Sequence, residues 1–267
     1  IRVLATSDDG STSTADFVIA VQDVDDTSPE ASSVKVRAQS WMPPFLAAVD
    51  VDLVGYSITD QEVLSWINLD TLSIQFNEQV NVSESALSLT GLVGNGTASS
   101  PIDYIVDFGI FDFDYDIPTM TATWVLDDVF AKVAGSANSV LVSLTGVTDT
   151  AGNPLAALTI DEFYVNPGDI DQNGIVDFTD LGLLYPTKIG VAPSAADEVA
   201  RADIDGNGIV DFTDLGLFYP NRIGVQIPSL GGSLPAFSAE NDGSGQEEGS
   251  VDDVFGDTDS LEDLLLP

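Results

Sequence analysis

The sequence predicts a mainly β chain, an immunoglobulin-like sandwich followed by a small α-helical module and a disordered acidic tail. Three observations carry that prediction. Short strand-like runs recur between residues 34 and 166, separated by turn residues. A segment then repeats almost unchanged at a spacing of 34 residues. Beyond it the chain turns low in complexity and strongly acidic.

The strand-like runs are Val34 to Gln39, Leu72 to Phe76, Ala86 to Leu89, Asp103 to Phe108, Thr119 to Leu126, Val140 to Leu144 and Leu158 to Tyr164. Gly94-Asn95-Gly96 and Gly152-Asn153-Pro154 are turn sequences between them. Strands at this spacing predict two packed sheets. The series Asp112, Asp114, Asp116 alternates with Phe111, Phe113 and Tyr115. Period-2 alternation sets the rings on one face and the carboxylates on the other, a core face and a solvated face.

Upstream, Ile1 to Thr6 and Asp16 to Val21 read as strands around an Asp8-Asp9-Gly10 turn. Ala5-Thr6-Ser7-Asp8 and Val18 to Asp26 resemble the last two strands of a cadherin repeat. That resemblance would make Asp23, Asp25 and Asp26 calcium ligands; an acidic linker is the alternative. That resemblance implies that residues 1–26 are the end of a cadherin-like β-domain of a longer protein, with 27–33 expected as a linker. Leu72 to Val80 with Leu87 to Gly91, and Gly146 to Leu155, resemble a bacterial Ig-like domain of large surface proteins, over residues 34–166. The resemblance implies a spacer, the usual role of such domains.

Charge and composition narrow the chemistry. The formal net charge is −37, from 44 acidic and 7 basic residues. Such a chain repels nucleic acid and anionic lipid, and no stretch is long and apolar enough for membrane insertion. There is no His and no Cys. That removes disulfides, thiolate zinc sites and imidazole-based triads. Carboxylate-pair glycoside hydrolysis is the main chemistry left open, and no catalytic residue is expected.

The repeat is the most informative feature. It runs from Asp169 to Asp180 and again from Asp203 to Asp214, and the match continues through Leu181-Gly182-Leu183 and Leu215-Gly216-Leu217. Oxygen-bearing side chains stand at positions 1, 3, 5, 9 and 12: Asp169, Asp171, Asn173, Asp177 and Asp180, then Asp203, Asp205, Asn207, Asp211 and Asp214. Position 7 offers a backbone carbonyl, from Ile175 or Ile209. Gly174 and Gly208 make the sharp turn at position 6. This spacing is that of a calcium loop, so two Ca²⁺ are expected, one per loop. The β-branched Val176 and Val210 at position 8 suggest that the two loops pair through a short β contact. Asp replaces the usual Glu at position 12, and Asn166-Pro167-Gly168 excludes a helix entering the first loop. Short helices are expected from Phe178 and Phe212 to near Pro186 and Pro220, with a capped linker helix around Ser194 to Arg201.

On these residues, 167–225 resembles a type I dockerin. The resemblance implies a calcium-folded plug that binds a cohesin-like partner or surface scaffold, with positions 10 and 11 of each loop facing it: Phe178, Thr179, Phe212 and Thr213. Core packing between the repeats is the alternative for the two Phe residues. The expected role is a non-catalytic, calcium-dependent anchor of a secreted or bacterial cell-surface protein. A calcium-stiffened fibre component, or a tether for a polysaccharide-degrading enzyme further upstream, are the other readings. Residues 226–267 read as an acidic low-complexity tail, with one amphipathic turn near its end.

Overall fold

A computed structural model describes residues 2–16, 27–50, 53–131, 135–156, 158, 160, 162–219 and 222–229. Asp23, Asp25 and Asp26, most of the expected second strand and residues 230–267 lie outside these. An N-terminal hairpin pairs β1 (Arg2–Thr6) with β2 (Thr12–Asp16) around the Asp8-Asp9-Gly10 turn.

The chain is mainly β. One five-stranded sheet runs in the order β10 (Ile110–Asp116), β11 (Thr121–Leu126), β6 (Thr71–Phe76), β3 (Ala31–Arg37) and β4 (Tyr56–Ser57). The other runs β5 (Val63–Leu64), β14 (Glu162–Val165), β12 (Ala137–Leu144), β8 (Leu87–Asn95) and β9 (Ala98–Asp103). A small pair, β7 (Val80–Asn81) and β13 (Thr148–Asp149), stands beside them. The inward residues of both sheets form one core, with Val34, Ile74 and Trp124 from the first meeting Leu89, Val140 and Phe163 from the second. That shared core makes the pair a sandwich.

Several elements depart from the sequence reading. Residues 31–33, expected in a linker, begin β3. Asp103 to Phe108, expected as a strand, ends β9 and forms helix α2 (Tyr104–Phe108). The Asp103 carboxylate accepts from Ile105 N and Val106 N, an N-cap that outweighs the β-propensity of Tyr, Ile, Val and Phe. Pro43-Pro44 opens a helix not foreseen, α1 (Pro43–Val49), which buries Phe45 and Leu46. In β10 a bulge between Ile110 and Asp112 turns Phe111 outward to 70% exposure, while Phe113 packs on Trp124 and Tyr115 on Phe76. The Asp face is solvated, as the alternation implies.

After β14 the chain passes into the repeats and their helices α3 (Phe178–Leu184), α4 (Glu198–Ala202) and α5 (Phe212–Phe218). The cap of α4 is Asp197, whose carboxylate accepts from Val199 N and Ala200 N, rather than Ser194. These elements have their own core of Ile170, Val176, Leu184, Ile204, Val210 and Phe218, closed by Ala137 of β12. Residues 226–229, read as the start of the tail, are built into the fold. Ile227 is fully buried with Val63 and Tyr164, and Gln226 is bonded to Asn95 and Gly96. Ile227 is an apolar residue in a polar context, and a tertiary contact with Val63 and Tyr164 decides its burial. Among the described residues no helix is long and apolar enough to cross a membrane.

Candidate metal centres

Each repeat folds its loop back on itself so that three carboxylates converge. Oxygen atoms of Asp169, Asp171 and Asp180 lie within 4.8 Å of one another, and those of Asp203, Asp205 and Asp214 do the same. Gly174 and Gly208 make the turn at φ 89° and 94°, left-handed values that a side chain would strain. Position 4 also lies in this region, as Gln172 at φ 60° and Gly206 at φ 68°.

Backbone N–H groups fix the carboxylates. Asp169 accepts from Asn173 N (3.0 Å) and Gly174 N (2.8 Å), and Asp203 from Asn207 N (3.1 Å) and Gly208 N (2.8 Å). Asp180 accepts from Ile170 N (2.7 Å), Asp171 N (3.1 Å) and Asp177 N (2.8 Å). Asp214 repeats this with Ile204 N, Asp205 N and Asp211 N at 2.7, 3.2 and 2.8 Å. The shorter Asp at position 12 thereby ties the loop's entry to the helix start, completing a capping box with Asp177 or Asp211.

The remaining loop residues have local roles. Asn173 and Asn207 donate to Asp171 and Asp205 and accept from the N–H of Ile175 and Ile209. Asp177 and Asp211 cap α3 and α5. The convergent carboxylates are therefore those of positions 1, 3 and 12; Asp177 and Asp211 at position 9, expected as ligands from the sequence, are not among them.

Burying like charges together is unfavourable, and the carboxylates register it. Burial pushes Asp169 up to about 8, aided by the charges of Asp180 and Asp171. Burial with Asp214 nearby pushes Asp203 up to about 7. Asp180 and Asp214 rise to about 6, again chiefly through burial. Two all-oxygen acidic groups held this way fit a hard divalent cation, which would offset the repulsion. These groups can hold a metal ion.

The two loops do not pair with each other, contrary to the expectation for position 8. Val176 N donates to Val225 O and the Val176 carbonyl accepts from Gly224 N, at 2.8 and 2.7 Å. Val210 N donates to Val191 O and its carbonyl accepts Gly190 N, at 2.9 and 2.7 Å. Each loop thus pairs with the segment that follows the other repeat's helix, and the arrangement has approximate two-fold symmetry.

Phe178 and Phe212 are 72% and 68% exposed, so core packing is not their role. Thr179 and Thr213 are exposed beside them. Two residues that the sequence reading passed over join this face. Tyr185 and Tyr219 are exposed, and a shallow groove runs between Leu181, Tyr185, Phe212, Leu215 and Tyr219. Their repetition after each helix was the available clue. Gly182 and Gly216 are exposed mid-helix, where an added Cβ would meet nothing within 4 Å. The two cations that follow the helices turn inward. Lys188 bonds Leu183 O and Glu198. Arg222 is buried and donates to Pro167 O, Ser136 O and Asn166 Oδ1 at 2.8, 2.8 and 3.0 Å.

No family model matches the chain, and no curated protein matches it. Among solved structures, the N-terminal part of the bacterial S-layer protein SbsC is similar at 14% identity with a TM-score of 0.26. That similarity covers 52% of this chain and 23% of the other, less than a quarter of that protein's length.

Proposed function

We propose that this chain is a non-catalytic, calcium-dependent anchoring region of a secreted or cell-surface protein. Two Ca²⁺, one per loop, order residues 167–225, and the ordered helices present an aromatic face to a cohesin-like protein partner. The duplicated Asp169–Asp171–Asp180 and Asp203–Asp205–Asp214 groups, in which positions 1 and 12 are buried, carry the reading, because repulsion at each is relieved only by protons or a cation. Calcium is favoured over Mg²⁺ because a loop of many oxygen donors suits its larger, flexible coordination. The exposed Phe178, Phe212, Tyr185 and Tyr219 supply anchors of the type that dominate protein interfaces.

Calorimetry on the full chain should give two calcium ions bound; none or one would refute the metal reading. A binding assay against a cohesin panel, with and without chelator, tests the partner. A second reading, a calcium-stiffened element of a surface fibre, draws on the way both loops are seated on the sandwich. Gln172 donates to Val63 O (2.7 Å), and Met42 N donates to Gly206 O (2.9 Å). Full calcium binding with no partner in the panel would favour it.

A further inference from the structure

The two loops match in sequence but not in how they meet the sandwich, and position 4 makes the difference. In the second loop it is Gly206, against which Trp41 packs so closely that an added Cβ would lie 2.6 Å from the indole Nε1. Pro44 closes on Gly208 in the same loop, 3.0 Å from where its Cβ would stand. Trp41 is 3% exposed, and its Nε1 has no hydrogen-bond partner. Its ring is held by packing alone, edge to face against Phe45 (4.8 Å) and Trp66 (5.3 Å), and on the backbone of the loop. Trp66 donates to Ala200 O at 2.8 Å, just before the second loop begins, and Ile67 N donates to Ile204 O within it. In the first loop position 4 is Gln172, whose side-chain amide donates to Val63 O at 2.7 Å.

We infer that metal binding by the second loop and seating of Trp41 on Gly206 are one coupled equilibrium. Trp41 is a positioning residue for the Asp203–Asp205–Asp214 group, and an ion there locks the helical module to the sandwich. The inference rests on the calcium reading above. The physical reason is that Gly206 lies between ligand positions 3 and 5. Any change of backbone path that brings Asp205 to an ion moves the surface on which the indole rests. Coupling of this kind is reciprocal, so whatever the ion contributes to docking, docking contributes to ion affinity.

The test follows tryptophan emission during calcium titration of the full chain in three forms: unaltered, Asp180→Asn and Asp214→Asn. The emission change should persist when the first loop is disabled and vanish when the second is. Calorimetry in parallel reports the ions bound. If the unaltered chain binds none, both readings fall; if it binds two and emission stays constant, or follows the first loop, the coupling alone is overturned. Trp41→Phe removes no hydrogen bond and leaves every ligand in place. It should weaken one of the two binding steps by about 5- to 150-fold, the usual span of site coupling, and leave the other unchanged. Gly206→Ala should weaken the same step, and by less in the Trp41→Phe background than alone. Additive effects would show that Gly206 acts only through its own backbone, and would overturn the role of Trp41.

Discussion

Truncating Phe212 to Ala separates a surface role from a packing role, because α5 carries one Phe of each kind. Phe212 is 68% exposed at its start and Phe218 is fully buried at its end. Full burial of a Phe side chain is worth about 1.5–3 kcal/mol. Phe212 hides roughly a third of its surface, so Phe212→Ala should cost on the order of 0.5–1 kcal/mol. The better helix propensity of Ala returns a few tenths of that. Phe218→Ala empties a core site and should cost about 3–5 kcal/mol. For a folded unit of this size, 1 kcal/mol moves the melting temperature by about 2–4 °C. Thermal denaturation in saturating calcium should therefore show Phe212→Ala within a few degrees of the unaltered chain and Phe218→Ala far below it. A loss of about 3 kcal/mol or more from Phe212→Ala would refute the argument that this side chain is free for a partner.

Three further outcomes follow from the same geometry. If the aromatic face binds a partner through either repeat, replacing Phe178 and Thr179, or Phe212 and Thr213, by Ala should cost only the statistical factor of two, about 0.4 kcal/mol; replacing all four should abolish binding in a direct affinity measurement. In chelator, stability should be highest below pH 4 and fall as pH rises through about 6 to 8, since Asp169, Asp180, Asp203 and Asp214 have folded pKa values raised above 3.8 and fold best protonated. In saturating calcium that part of the profile should invert, because the ion requires the deprotonated forms, and melting curves at pH 5 and pH 8 read both trends. Arg222→Met should destabilise the fold by about 2–5 kcal/mol in chemical denaturation, as it strips the donors from three buried acceptors.

The sequence was most readable where a residue type has a single physical use. Gly174 and Gly208 at fixed spacing among Asp and Asn mark loops that the structure builds, and Asp177 and Asp211 start helices where expected. Alternation in β10 gave its two faces, apart from the bulge at Phe111. Legibility failed where a tertiary contact decides. The cap that Asp103 gives α2, the burial of Ile227 and the fit of Trp41 on Gly206 each depend on distant or competing residues. Position 4 is instructive: Gln172 and Gly206 look like tolerated variation within a repeat, yet each fits a different part of the sandwich. The reciprocal pairing of Val176 and Val210 is not legible in the sequence for the same reason, since position 8 shows that a backbone pairing is needed but not which segment supplies it.

That reciprocal pairing predicts an order of assembly. Val210 pairs with Gly190 and Val191, which precede it in the chain, whereas Val176 pairs with Gly224 and Val225, which lie beyond the whole second repeat. A chain emerging from its N-terminus can close the second loop as soon as that loop appears, but must hold the first open until Val225 arrives. The repeat made first is then the last to be finished, and its long-range closure is the slower of the two. A chain stopped after Tyr219 should retain calcium in the second loop and lose it from the first, and calorimetry showing the opposite would contradict this order. On this expectation two halves that resemble each other would close in turn, the one made first waiting on the one made second.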